Sequence, residues 1–413
     1  MCQYAGMIGR AAALPLHLGS ATMLRVSAEG VATALVLTVQ ARTGDAATAG
    51  YLQTAMTLPY VLSGPIIGNA LDRVRRPRSG AVALAACYVA ATSLLLVMAG
   101  SSPLVLALAV AAVIGCTEPI VVALTSLLPR FVPPGRLSRA YGLEASSYNV
   151  AGIAGPGLAA GLASVAGGQY AGAAVVAVGV LGLLTLPLLP FPGPATASVR
   201  PAAGTLRRSV LTGGLSVLVE GRVLRALTVA TTLAWTGFGG VAVTAVLLAE
   251  HIGAPPSAGG RLLVALAVGS LIGSLASSRW LTPKHAEPVM LAGLVAFGTA
   301  LAALAVVPSV PWATAAFVAA GIAEGPVFAA TLMLRQREAP PDRLGQVNTT
   351  AGSLKIGASA LGAALTAASA DAVGPVGLVL GIAAFQFAGA AAGLVLLRPR
   401  TGGKSVDLAG DGP

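Results

Sequence analysis

Gly68-Asn69-Ala70-Leu71-Asp72-Arg73-Val74-Arg75-Arg76-Pro77-Arg78 carries one acidic and four basic side chains in eleven positions. The sequence on either side is almost free of charge, with apolar runs over 46–71 and 79–100. Each run has about the 20 residues a helix needs to cross a bilayer. A charged turn between two such runs is a loop at a membrane surface, and the rest of the chain repeats the pattern.

Of the 413 residues, 56% are hydrophobic and 9% charged. Soluble proteins carry about 25% charged residues, and a water-soluble domain this poor in charge would expose large apolar patches. Lipid is the solvent that fits. The 52 glycines suit close packing of membrane helices. Twelve apolar runs follow one another: 15–41, 46–71, 79–100, 103–128, 143–166, 169–191, 223–249, 258–280, 287–308, 311–334, 345–370 and 373–397. The first contains Arg25 and Glu29 and is too long and too polar for the core of a signal peptide. The longest interruption, 193–222, is rich in Pro, Gly, Ser and Arg, with a short amphipathic piece at Val210–Val219. The expected fold is an all-α integral membrane protein. It has an N-terminal six-helix bundle (1–192), a cytoplasmic linker (193–222), a C-terminal six-helix bundle (223–397) and a cytoplasmic tail (398–413).

Basic residues in short loops mark the cytoplasmic side. Among the 25 Lys and Arg, Arg42 and Arg261 fall on the opposite side, and Arg25 and Lys355 lie within spans. All the others share the side of the Gly68–Arg78 loop. The bias expects a multi-pass protein of the inner (plasma) membrane with both termini cytoplasmic. The same distribution argues against reading the net charge of +11 as a nucleic-acid surface. The two halves also repeat. Val132-Pro133-Pro134-Gly135-Arg136-Leu137 matches Ala339-Pro340-Pro341-Asp342-Arg343-Leu344, and Gly115-Cys116-Thr117-Glu118 matches Gly321-Ile322-Ala323-Glu324. Each pair ends the fourth span of its half or enters the fifth.

With this layout the opening loop resembles the signature Gly-x-x-x-Asp-Arg-x-Gly-Arg-Arg/Lys of the major facilitator superfamily. Gly68, Asp72, Arg73 and Arg76 match, and Arg75 replaces the second glycine. The resemblance covers nearly the whole chain and implies a central cavity between the two six-helix bundles. It implies that Asp72 latches the start of the eleventh span while the cytoplasmic side is closed, with Arg73 and Arg76 in a charge network for which Arg130 and Glu144 are candidates. The corresponding C-terminal loop, Gly273 to Arg279, has Ser277 in place of the Asp. In the fifth span, Gly152 and Gly155-Pro156-Gly157 resemble part of a packing motif of proton-coupled exporters, although Ala151, Ala159 and Ala160 take other glycine positions. A small-residue face kinked at Pro156 is the structural alternative. The Arg that many family exporters carry early in the fourth span is missing.

Charges deep in a membrane are costly and face a cavity or a partner. Arg25 and Glu29 sit at i and i+4 on one helix face, either as an internal ion pair or as a pair that protonation opens. Glu118 and Glu324 are repeat-equivalent and each precedes a proline closely, Pro119 or Pro326. Burial disfavours the charged form of a carboxylate, which suits a proton carrier; a structural hydrogen bond is the alternative. Lys355 is a counter-charge or an anion contact. Trp235 is the aromatic candidate for a cavity wall, and Tyr148, Asn149, Gln53 and Gln386 are lesser polar candidates.

Cys2, Cys87 and Cys116 have no metal-ligand spacing, no phosphate-binding Gly-Lys-Ser/Thr loop is present, and His17, His251 and His285 lie near span ends without a hydrolase constellation. The expectation is therefore no enzyme, cofactor or metal. The expected function is secondary active export of a small hydrophobic or amphipathic molecule by proton antiport. The expected partners are that small molecule, protons and the bilayer, with the chain acting as a monomer. The alternatives are proton-coupled uptake of a polar metabolite and a non-transporting membrane protein of the same fold.

Overall fold

The computed structural model describes residues 2–44, 47–73, 77–189, 206–255 and 257–398. Among them the regular elements are all helical. The first half holds α1 (Cys2–Thr43), α2 (Ala47–Arg73), α3 (Pro77–Met98), α4 (Leu104–Thr117), α5 (Ile120–Ala123), α6 (Leu128–Phe131), α7 (Leu137–Ala166) and α8 (Ala171–Thr185). The second holds α9 (Leu206–Glu220), α10 (Arg222–Phe238), α11 (Val241–His251), α12 (Ser257–Trp280), α13 (Ala286–Ala303), α14 (Val310–Glu338) and α15 (Leu344–Leu397).

Among the described residues ten stretches are long and apolar enough to cross a membrane. α2, less apolar but 27 residues long, has the length of a further span, and α15, with 54 residues, is too long for a single span at 1.5 Å per residue. Gly374 breaks it with φ +65°, a left-handed conformation that a side chain resists, and Pro375 follows without an N–H. Twelve spans result, as the sequence indicates. The last turn falls two residues beyond the expected 371–372 gap, because Asp371 and Ala372 stay helical up to the glycine. The fourth span is segmented at Pro119 into α4, α5 and α6, and the seventh at Gly239–Gly240 into α10 and α11.

In one half α1 packs on α7 and α8, α2 on α4, and α3 on α4 and α8; in the other α10 packs on α15, and α14 on α12 and α13. One apolar core, including Leu24, Leu35, Leu52 and Leu95, lies within the first half. Another, including Leu262, Phe297 and Phe317, lies within the second. A third draws on both, joining Leu128 and Tyr141 to Leu224, Met290 and Leu334. It sits at the arginine-rich end of the bundle, where the halves meet. Apolar side chains such as Val105, Leu184 and Val306 remain exposed at 76%, 65% and 83%, the pattern of a surface solvated by lipid.

The amphipathic stretch expected at Val210–Val219 lies within α9. α9 rests on the start of α15: Leu218 packs with Leu344 and Val347, and Gln346 Nε2 donates to Val210 O at 2.8 Å. The remainder of the expected linker before 206, and the tail beyond 398, lie outside the described residues.

Candidate functional site

The halves touch along two seams at the arginine-rich end. On the first, α2 meets α15. Asp72 ends α2 with its carboxylate against the first turn of α15, where Oδ1 accepts from the Gly345 N–H at 3.0 Å and Oδ2 from the Gln346 N–H at 2.8 Å. Helix N-termini present unpaired N–H groups and a positive dipole end, so an acidic side chain fits here by charge and by hydrogen-bond count. One turn earlier Gly68 lets the backbones meet: a Cβ there would lie 2.6 Å from Gln346 Cα. Arg130 acts electrostatically on Asp72. Arg73 is exposed at this surface, and Arg76 lies outside the described residues.

On the second seam α7 meets α12. Ser146 and Ser274 share a hydrogen bond at 2.9 Å, Asn149 Nδ2 donates to Ser274 at 3.2 Å, and Ser270 donates to Asn149 Oδ1 at 3.1 Å. Tyr141 OH donates to Gln336 on α14 at 2.8 Å. Ser277, which replaces the acidic residue of the repeat, is fully buried and donates to Ser274 O at 2.8 Å. One repeat thus joins the halves by a carboxylate on a helix end, the other by a row of hydroxyls. Ser270, Ser274 and Ser277 recur on one face of α12 at i, i+4 and i+7, a periodicity that is present in the sequence but does not name the helix it faces.

Above these seams lies a cavity of about 690 Å³ between the halves. Glu29 from α1, Glu118 from the end of α4, Glu324 from α14 and Lys355 from α15 all line it, as do Trp235 and Gly152. Lys355 Nζ lies 3.5 Å from the Trp235 ring centroid and 4.5 Å from that of Phe328. The ring faces attract the ammonium by their quadrupoles. Glu324 accepts a hydrogen bond from Ser270. Ser270 thus faces two acceptors, Glu324 and Asn149, with one proton to give. While Glu324 is ionised the proton goes to the carboxylate. Once Glu324 is protonated its own O–H can donate to Ser270, whose proton then serves Asn149 on the opposite half.

Two expectations are corrected here. Arg25 does not pair with Glu29, despite their i, i+4 spacing. Its guanidinium turns into the first half, donating to Glu144 Oε1 at 2.5 Å, Thr125 Oγ1 at 3.0 Å, Val121 O at 3.2 Å and Ser147 Oγ, and it stacks on Tyr148 at 3.7 Å. Glu144 likewise does not reach a latch network with Arg73 and Arg130. It is fully buried and bound by Arg25 and by His17 Nε2 at 3.2 Å. The physical reason is the close crossing of α1 and α7, where a Cβ on Gly155 would lie 2.6 Å from Gly30 N. That crossing carries Glu144 to Arg25 and leaves Glu29 to the cavity. Gly155 therefore packs helices, Pro156 stays inside a continuous α7, and Gly152 faces open space.

Comparison with known proteins agrees with this architecture. The family model described as Major Facilitator Superfamily matches residues 18–241 and 227–412. An uncharacterised MFS-type transporter, y4rN, of Sinorhizobium fredii is 28% identical over 353 residues, spanning 84% of this chain and 85% of that protein. The multidrug efflux pump Tap of Mycolicibacterium fortuitum is 28% identical over 350 residues, 80% and 82% of the two chains. Among solved structures, the human organic anion transporter MFSD10 (TETRAN) superposes with a TM-score of 0.77 at 15% identity, covering 94% of this chain and 99% of that one. A bacterial homologue of the iron transporter ferroportin in an outward-facing state superposes at 0.70 with 17% identity, covering 94% and 98%; at such identities these two likenesses speak to the fold alone. With both halves matched by the family model and twelve spans around a central cavity, the chain belongs to the major facilitator superfamily of membrane transporters.

Proposed function

We propose that this transporter exports a small hydrophobic or amphipathic compound in exchange for protons, with the arginine-rich end cytoplasmic. The observation that carries the reading is the convergence of Glu29, Glu118 and Glu324 on one cavity that is closed at the arginine-rich end. The positive-inside bias supports the sidedness, which makes the conformation outward-facing. The similarity to the efflux pump Tap supports the direction. Two carboxylates from the first half and one from the second supply places for protons, while Trp235 and Phe328 offer flat apolar surface to the cargo.

Coupling follows from the single proton of Ser270. Protonation of Glu324 from the outside frees Ser270 to bond Asn149, so the proton-loaded carboxyl favours the closed cytoplasmic seam. By linkage, the same carboxyl holds its proton less tightly once the seam opens inward, which assists release to the cytoplasm. Asp72 acts as the latch for the same closed state.

Inside-out vesicles containing the protein, loaded acidic, test the direction. They are expected to accumulate a lipophilic fluorescent dye, and a protonophore should abolish the accumulation. Dye levels that match protein-free vesicles across a panel of such dyes, with or without the gradient, would overturn export by antiport.

A further inference from the structure

Arg335, one turn before the end of α14, has no part in this scheme. It is only 7% exposed, and its Nε has no hydrogen-bond partner. Among the described residues no acidic side chain forms an ion pair with it. Burying a guanidinium without a counter-charge is costly, and sequences keep such groups where something anionic arrives.

Arg335 lines a chamber of about 30 Å³ inside the second half, bounded by α10, α13, α14 and α15. Lys355 lines the same chamber, and the hydroxyl-bearing Thr232 faces it. Trp235, Phe328, Glu324 and Lys355 also line the central cavity, so the chamber is a side pocket of it. The charge balance is lopsided: two cations share the chamber with one carboxylate, Glu324, which is already hydrogen-bonded by Ser270. Glu324 also sits eleven residues before Arg335, about 16 Å along the helix axis. The end of the chamber at Arg335 is therefore positive and empty of acid.

We infer that this chamber is an anion site, in which Arg335, assisted by Lys355, holds a small monovalent anionic group. The volume admits a halide ion or the carboxylate of a cargo whose apolar body stays in the central cavity against Trp235 and Phe328. A bulky head such as a phosphodiester does not fit. The carboxylate source rests on the reading of the central cavity as the cargo site; the inorganic source does not. An anion here also offers Lys355 a partner other than Glu324, leaving that carboxyl free to take a proton.

Fluorescence of Trp235 tests the site in the full-length protein, because Lys355 lies on its ring. In a Trp280→Phe/Trp312→Phe background, Trp235 is the one remaining tryptophan. Two titrations are needed: sodium chloride replacing sodium gluconate, and 4-phenylbutyrate alongside 4-phenyl-1-butanol and 4-phenylbutylamine. The expected result is a saturable emission change with chloride, with phenylbutyrate, or with both, and a weaker response to the alcohol and the amine. A chloride response alone assigns a free ion; a phenylbutyrate response assigns a cargo headgroup. Arg335→Gln should weaken the responding anion about tenfold, the order expected for losing a charge-assisted hydrogen bond, and Arg335→Lys should restore most of the affinity. No response to either anion, or alcohol and amine binding as tightly as the acid, would overturn the site. The ligand comparison stands on the unsubstituted pocket even if an Arg335 variant does not fold. None of these titrations uses a proton gradient, so a failure of the antiport reading would leave their outcome unchanged.

Discussion

Arg25 could meet either of two carboxylates, and the choice between them decides its role. Bound to Glu144, and through it to His17, it is part of the framework of the first half while also lining the cavity wall; bound to Glu29 it would have formed a pair that a proton in the cavity could open. Breaking a buried ion pair by removing one partner typically costs about 3–5 kcal/mol. Glu144→Gln should therefore lower the melting temperature markedly. The double variant Arg25→Met/Glu144→Gln should lose less than the sum of the single changes. Glu29→Gln, by contrast, should leave thermal stability within about 0.5 kcal/mol of the parent, as for a substitution away from buried networks. A calorimetric or fluorescence melting cycle in detergent checks all three. The existence of charges within spans at 25, 29, 118, 324 and 355 was legible in the sequence, because a charge in an apolar run is conspicuous. Their partners were not, since helix periodicity reports only neighbours on the same helix. The crossing of α1 over α7 at Gly30 and Gly155 is a tertiary event that local spacing does not contain. Arg335 escaped notice for a related reason: it stands with Arg337 at the end of a span, where basic residues are ordinary.

At the level of elements, closure is asymmetric. α2 and α15 are held by a carboxylate on a helix end, whereas α7 and α12 are held by serines and Asn149. Asp72→Ala leaves two N–H groups of α15 without their acceptor, and Gly68→Val places side-chain atoms where the α15 backbone lies. Both should increase labelling, from the arginine-rich side, of a cysteine placed at Ser353, which packs against Gly64 in the closed seam. Unchanged labelling in both would remove the latch role. Ser270→Ala is expected to act differently. It keeps the fold but removes the hydroxyl shared by Glu324 and Asn149, so labelling at the seam should lose most of its dependence on pH. The spans themselves were legible from length and apolarity, down to an amphipathic helix in the linker. Their internal breaks were not. Gly239–Gly240 look like the many other glycines of a packing-rich chain, and although a turn near 371–372 was legible, only the backbone shows that Gly374 is the residue that turns left-handed.

Across the whole molecule, a cavity lies between the halves while both seams at the arginine-rich end are shut. A carrier that alternates must open one side as it closes the other, and its buried carboxylates then meet the two compartments in turn. Substrate-evoked proton movement is the most direct measurement of that claim. A compound that the vesicles accumulate is added to inside-out vesicles with an acidic lumen and a lumenal pH dye. The protein should release lumenal protons as the compound enters, and Glu118→Gln and Glu324→Gln should abolish the release. Proton movement that persists unchanged in both variants would contradict the account.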